Sequence, residues 1–365
     1  MVKLNMQIIA VIGYGITVKL ASFALSELGY LVDLIALNQK QKKDEGIASL
    51  SISNDSFKFL QKLKIKNLNK ICNPVFSIKL YENTFDSQNP DSFFYNKKDD
   101  DPLSYIVLKK DISASLDEKV KEFKIKKILK SNKDYALTIN TVKVNKKENQ
   151  ISWDYDEEAY TFIIQHQKLI NNSARQFFLK SGPLAFLPLS PTTTSIVWSL
   201  DKKSEFKKIV KSKEELAKFL NKNFTFLKSI KIKSKIESFP LSFNFLKKSI
   251  EPRQVTIGDV SHRIHPLAGQ GWNMSVRDIK QIYEIYFSKK KYGYDLGDYS
   301  LLEDFERKTK VNNLIFSSSI DIIRRVFKIK NDKISKLRKT VFRELEKFPE
   351  IKKEIIKFAD KGLSF

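Results

Sequence analysis

The run Ile8-Ile9-Ala10-Val11-Ile12 ends in Gly13-Tyr14-Gly15 and passes directly into Leu20, Phe23, Ala24 and Leu28 at helical spacing. A short, wholly apolar run suits a strand buried on both faces, and the change of period marks a helix behind it. Gly29 supplies a left-handed stop, and Leu31-Val32-Asp33-Leu34-Ile35 reads as a second strand. Strand, glycine turn, helix and strand predict a βαβ unit, which commits this end of the chain to a parallel sheet. The turn has the physics of a dinucleotide cradle, because glycines let backbone approach a pyrophosphate and the helix start offers free N–H groups. Yet Val18 holds the third glycine position, and Ala36 stands where a carboxylate would meet a ribose hydroxyl. Asp33 lies three residues earlier and Asn38 two later. On these residues alone, a βαβ unit that binds no nucleotide stays open.

Further along, Gln39 to Glu45 reads as a charged loop, Phe57 to Leu63 as a short helix, and Glu82 to Asp101 as an exposed, turn-rich loop. Ser104 to Leu108 suits a strand, and Asp111 to Phe123 carries Ile112, Leu116, Val120 and Phe123 at helical spacing. Alternation returns at Tyr135 to Val144, Tyr160 to Gln165 and Thr194 to Leu200. With Gly182-Pro183 and Pro188 to Pro191 as turns, it predicts an antiparallel sheet. His166, in an apolar strand, reads as a satisfied sheet residue. From Ser275 onward the pattern is helical, with Tyr283, Tyr286 and Phe287 as core or interface residues.

The most informative stretch is Val255-Thr256-Ile257-Gly258-Asp259-Val260-Ser261-His262-Arg263-Ile264-His265-Pro266-Leu267-Ala268-Gly269-Gln270-Gly271-Trp272-Asn273. It places a strand ending in Gly-Asp ahead of a glycine-rich turn that opens a helix near Met274, with Arg277-Asp278 in its first turn. Such a turn aims backbone N–H groups at an electron-rich ligand edge, while the Asp accepts hydrogen bonds from sugar or polyol hydroxyls.

These residues closely resemble the Gly-Asp segment of the flavin-dependent aromatic hydroxylases related to para-hydroxybenzoate hydroxylase, above all the branch that hydroxylates the ring during ubiquinone biosynthesis. Only Val260 and Ser261 depart from that branch's small-residue pair. Lys180 to Leu189, Ser195 to Trp198, Asp304-Phe305-Glu306-Arg307 and Lys361-Gly362-Leu363 extend the likeness. The resemblance implies an α/β fold with a Rossmann-like FAD-binding domain, an inserted antiparallel-sheet substrate domain and C-terminal helices. Residues 1–75 and 104–145 would form the first two parts of the FAD domain, 76–103 an excursion into the substrate domain, and 146–250 the substrate sheet. Residues 251–288 would carry the Gly-Asp segment and 289–365 the C-terminal helices.

By the same resemblance, Asp259 would hold the ribityl chain of FAD and Gly258 would let the strand end approach it. Gly269, Gln270, Gly271, Trp272 and Asn273 would lie along the isoalloxazine ring, with Gly13 and Gly15 under the pyrophosphate. His265 and Pro266 would line the flavin face where oxygen and substrate meet, with no catalytic base and no metal ligand assigned. NAD(P)H would reduce the flavin, and one atom of O2 would pass to the ring of a polyprenyl phenol. The protein's part would be to exclude water and orient that ring.

The likeness thins at the other end of the cofactor. The family's Asp-Gly pair is replaced by Asn140-Thr141-Val142, and Gly46, in Asp44-Glu45-Gly46-Ile47-Ala48-Ser49-Leu50-Ser51, stands where an Arg would be. No Arg precedes Arg175, which leaves Lys109 or Lys110 as point charges in place of a guanidinium fork. Val18 and Ala36 complete a set of departures confined to the adenosine and pyrophosphate half. The alternative reading is a relative without tight FAD binding that serves as an accessory or scaffold subunit among quinone-biosynthesis proteins.

Composition adds limits. The 66 Lys and Arg against 42 Asp and Glu give a net charge of +24, but 57 of the 66 are Lys. Such a surface attracts anionic lipid or nucleic acid whatever its origin; no nucleic-acid motif accompanies it. A basic amphipathic face over Lys328 to Lys361 would suit peripheral contact with a membrane, whereas Val341, Phe342, Leu345, Ile351, Ile355, Ile356 and Phe358 would otherwise pack inward. Lone Cys72 excludes an internal disulfide and a Cys-based zinc site, and Ile8 to Leu37 fits neither a signal peptide nor a membrane span. The expected location is the cytoplasm, with the inner face of the membrane as its periphery.

Overall fold

The computed structural model describes residues 7–37, 46–85, 90–95, 101–130, 133–142, 147–329 and 331–362. In it β1 (Ile8–Gly13) and β2 (Leu31–Ala36) run parallel, joined by α1 (Ile16–Glu27). Ile9, Ala10 and Val11 are all fully buried, as a strand covered on both faces requires. Gly29, at φ 84°, ends α1 and donates its N–H to Ser26 O at 2.9 Å. The charged loop 39–45, Asn38, Lys143-Val144 and Leu363 lie outside the described residues.

Six strands form the first sheet, in the order Ile250–Glu251, Gln254–Thr256, Leu137–Asn140, β1, β2, Lys126–Ile128. Only the Ile250–Glu251 pairing is antiparallel. Leu137–Asn140 therefore does not join the antiparallel sheet that its alternation predicts: it lies parallel to β1, with Asn140 beside Ile12. Alternation records which face is covered, here Leu137 and Ile139, and says nothing about the direction of the neighbouring strand.

The second sheet is antiparallel over most of its width and is centred on Gln150–Gln165, flanked by Glu237–Leu246 and Thr193–Asp201. One face buries Phe162, Ile164, Phe177, Phe186 and Trp198 against Leu216 and Leu220 of the Lys213–Asn223 helix. The other face carries Ala174, Ala185 and Leu187. It packs on Val75 and Ile106 of a small sheet made by β3 (Ser49–Ser53), Ser104–Leu108 and Asn73–Val75. Ser49 Oγ donates to Ser195 Oγ at 2.8 Å across this seam.

Three local expectations change. Gly182-Pro183 and Pro188 belong to a strand, Gly182–Ser190, and the turns fall at Lys180-Ser181 and Pro191-Thr192. Glycine is required at 182 because a Cβ there would lie 2.0 Å from Ser199 O, and the strand absorbs Pro188 through a register shift. Within the expected loop 82–101, Ser92–Tyr95 forms an edge strand on Ser77–Glu82. His166 is satisfied as expected, its ring nitrogens meeting Gln167 O and Thr194 Oγ1, each at 2.9 Å.

The helices Gly271–Lys289, Tyr299–Lys328, Asp332–Glu346 and Pro349–Lys361 close the chain. Tyr283 and Tyr286 are core residues, whereas Phe287 is exposed. The last two helices pack less completely than expected. Phe342 rests near Phe327 and Phe358 near Phe316, but Val341, Ile351 and Ile355 face solvent because each helix meets the body along one edge. Among the described residues no helix is long and apolar enough to cross a membrane.

Candidate functional site

The strand Gln254–Thr256 runs beside Leu137–Asn140, and Ile257 N–H extends the ladder to Asn140 O at 3.0 Å. The chain then turns at Gly258, whose φ of 79° is left-handed. A Cβ there would stand 3.3 Å from Thr17 Cγ2 and 3.6 Å from Ser275 Oγ, so the first turn of α1 and the first two turns of the Gly271–Lys289 helix converge on this residue. Two helix starts and a Gly-Asp turn, distant in sequence, thus share one place.

Asp278, nearly fully buried, fastens the turn. Its Oδ2 accepts from Gly258 N–H at 3.4 Å and meets His262 Nε2 at 2.5 Å, while Oδ1 accepts from Asn313 Nδ2 at 3.0 Å. Burial opposes a charge on His262, but the Asp278 carboxylate outweighs it and the imidazole pKa is raised. Asp259, the next residue after Gly258, is exposed and has no hydrogen-bond partner among the described residues. A carboxylate on a fixed turn with no protein donor is suited to polyol hydroxyls.

His265 does not present its ring to an open flavin face. It is 1% exposed and meets Glu157 Oε2 at 3.1 Å, with Tyr155 packed edge-on at 5.5 Å between centroids. Burial holds its pKa below the ordinary value, so the neutral ring donates Nε2–H to the carboxylate and Nδ1 is left without a partner. The inward pull comes from Glu157, at a β-bulge between Asp154 and Glu158. Glu157 also binds Arg324 Nη2 at 2.6 Å and Lys328 Nζ at 3.0 Å. Pro266, next in sequence, is half-buried, and its carbonyl accepts from Gly269 N–H at 3.0 Å.

The glycine-rich turn then rests on β3. A Cβ on Gly269, at φ 66°, would come within 2.8 Å of Ser51 Cβ, so only glycine permits this approach. The helix opens at Gly271, three residues before the expected start, and Gly271 borders open space. Asn273 faces inward: Oδ1 accepts from Ser53 N–H at 3.0 Å, and Nδ2 donates to Ser51 O at 2.8 Å and Gln270 Oε1 at 3.0 Å. Trp272 is likewise a core side chain. These two can reach a ring only through their first-turn N–H groups, which no side-chain cap covers.

At the other end, Gly15 caps α1 at φ 81° and borders open space. Gly13 is closely covered, since a Cβ there would lie 2.1 Å from Thr141 Oγ1. The structure therefore brings Gly13, Gly15, Gly258, Asp259 and the 269–273 turn around the convergence point, and sets the side chains of His265, Trp272 and Asn273 behind it. Sequence reading missed Glu157 and Arg324. Their partner His265 is 108 and 59 positions away, and only packing of the long helix on the sheet joins them. Asp278 could have been found, because a carboxylate on the helix face nearest the Gly-Asp turn is placed to accept its N–H.

Residues 126–286 match the FAD binding domain family. The mitochondrial ubiquinone biosynthesis monooxygenase COQ6 of Mus musculus is 29% identical over 246 residues, 58% of this chain and 52% of that protein. The 3-demethoxyubiquinol 3-hydroxylase of Escherichia coli (strain K12) is 25% identical over 213 residues, 57% of this chain and 53% of that protein. The match thus spans about half the length of these relatives. Among solved structures, p-nitrophenol 4-monooxygenase PnpA from Pseudomonas putida DLL-E4 superposes with a TM-score of 0.77 at 11% identity. That superposition covers 99% of this chain and 100% of the other. Klebsiella pneumoniae HpxO complexed with FAD and uric acid gives 0.73 at 13% identity, covering 98% of each chain.

The chain shares its fold with these two proteins, one named a monooxygenase and the other complexed with FAD. Over a little more than half of its length the chain is also similar in sequence to ubiquinone-biosynthesis hydroxylases, at 29% and 25% identity to the two relatives above. The residues present fit the ring and ribityl part of FAD: a fixed turn with a free carboxylate, a helix start without a cap, and a glycine that borders open space.

Proposed function

We propose that the chain is an FAD-dependent monooxygenase that hydroxylates the ring of a polyprenyl phenol in ubiquinone biosynthesis, with NAD(P)H and O2 as co-substrates. The observation that carries this is the meeting of Gly258-Asp259 with two uncapped helix starts, an arrangement with no other evident use in the fold. The flavin, when bound, supplies the oxygen-transfer chemistry. Asp259 would accept hydrogen bonds from the ribityl hydroxyls, and the first-turn N–H groups of 271–273 would hold the isoalloxazine ring. Asp278 and His262 keep the turn in place. Glu157, itself held by Arg324, fixes His265, and through it the Pro266 backbone that would lie beside the ring.

Absorption spectra before and after FAD addition and desalting test the reading. Retained flavin bands that Asp259→Ala removes, with polyprenyl-phenol-dependent consumption of NAD(P)H and O2, are expected. A protein that retains no flavin would favour the accessory-subunit reading instead.

A peripheral lipid contact is proposed from a second observation. On the long helix Tyr299–Lys328 and just beyond it, Val311, Ile315, Ile322, Val326 and Ile329 are all exposed and lie on the side opposite buried Phe305, Asn313, Phe316 and Arg324. At 1.5 Å per residue this stripe is about 27 Å long, and Arg307, Lys308 and Arg325 flank it, as on helices that lie in an anionic interface.

A further inference from the structure

The two ends of the cradle differ in what their polar groups already do. At the ring end, Asp259 has no protein donor among the described residues, and the helix start at Gly271 has neither a side-chain cap nor an acidic residue in its first turn. At the adenosine end, Asp33, Asn140 and Thr141 are already engaged. Asp33, the one carboxylate on β2, is buried and takes Lys133 Nζ at 2.9 Å and Tyr135 Oη at 3.0 Å. Asn140 Oδ1 accepts from Val142 N–H at 3.0 Å, and Thr141 Oγ1 donates to Ile12 O at 3.0 Å.

Shape agrees with this accounting. Thr141 Oγ1 fills the space in front of Gly13, and Val18 Cγ2 and Val142 Cγ1 stand 3.1 and 3.3 Å from where a Cβ would be. The end of β2 offers Ala36 and the exposed Leu37. A ribose or adenine placed here must break existing hydrogen bonds to gain new ones, an exchange with little net return.

Resting on the flavin reading above, we infer that this chain takes its flavin affinity from the isoalloxazine, the ribityl chain and the phosphate common to FMN and FAD. The adenylate half adds almost nothing, so FMN binds about as tightly as FAD.

Fluorescence titration of the full chain with FAD, FMN and riboflavin, and displacement of bound FMN by ADP, test this without recourse to activity. The expected dissociation constants for FAD and FMN differ by less than about tenfold, which is about 1.4 kcal/mol. ADP leaves FMN bound, and Asp259→Ala weakens FAD and FMN by the same factor. A preference for FAD of more than about tenfold, displacement by ADP, or a loss on Asp259→Ala confined to FAD would overturn the inference while leaving the flavin reading in place. A protein that binds none of the three flavins overturns the flavin reading, and this inference with it.

Discussion

Replacing Glu157 by Gln removes a buried charge while keeping the side chain's shape. Glu157 is 5% exposed. It holds Arg324 through both carboxylate oxygens, at 2.6 and 3.2 Å, together with Lys328 at 3.0 Å and His265 at 3.1 Å. Burial alone would raise its pKa, but hydrogen bonds from His265 and Arg324 outweigh burial and draw it from 4.5 to about 2. At about 1.4 kcal/mol per unit, the ionised form contributes about 3 kcal/mol to folding near neutral pH. The folded value is the lower one, so the contribution is complete above the ordinary value and fades as pH falls toward 2. Near pH ~3, about 1 kcal/mol should remain. Urea unfolding should therefore show Glu157→Gln losing about 3 kcal/mol near neutral pH and about 1 kcal/mol near pH ~3, because the variant lacks the charge partner of Arg324 at every pH while the parent loses it on acidification. A neutral-pH deficit below about 0.5 kcal/mol, or one that does not shrink on acidification, would refute the reasoning.

Other expectations rest on separate features. Asn273→Ala orphans Ser53 N–H and Ser51 O in a buried place and should cost about 2–3 kcal/mol in urea unfolding; a loss under about 0.5 kcal/mol would show that β3 is held otherwise. Gly182→Ala drives a Cβ to 2.0 Å from Ser199 O at φ 124° and should destabilise by at least about 2 kcal/mol, whereas a neutral result would contradict the strand's close approach. His262 has a raised folded pKa, so its contribution is fully present below 6.5 and lost as pH rises through that folded value. His262→Gln should flatten the stability profile on that alkaline side, and parallel profiles for parent and variant would count against the His262–Asp278 charge pair. Flotation with anionic vesicles should fall at least about fivefold in Ile322→Glu, and unchanged flotation would remove the long helix from the lipid contact.

The sequence by itself determined the βαβ start, because an apolar run, a glycine turn and a helical repeat leave no other local solution. It also determined the Gly-Asp segment, whose glycines are needed at φ values that other residues avoid, as Gly258 and Gly269 show. Backbone conformation is a local property and can be read from a few neighbouring residues.

What the tertiary structure alone decided is where side chains look. Leu137–Asn140 alternates like an antiparallel strand but lies parallel to β1, since period records burial and not partner direction. His265 looks like a flavin-face residue, yet a bulge in a strand more than a hundred positions earlier turns Glu157 toward it, and a helix still further along the chain brings Arg324 to balance the charge. Asn273 reads as part of a turn that would meet the ring through its backbone, and its side chain is the tie to β3. Each outcome depends on groups brought together across the fold, where burial makes every charge and every hydrogen-bonding atom seek a partner that the sequence order does not disclose.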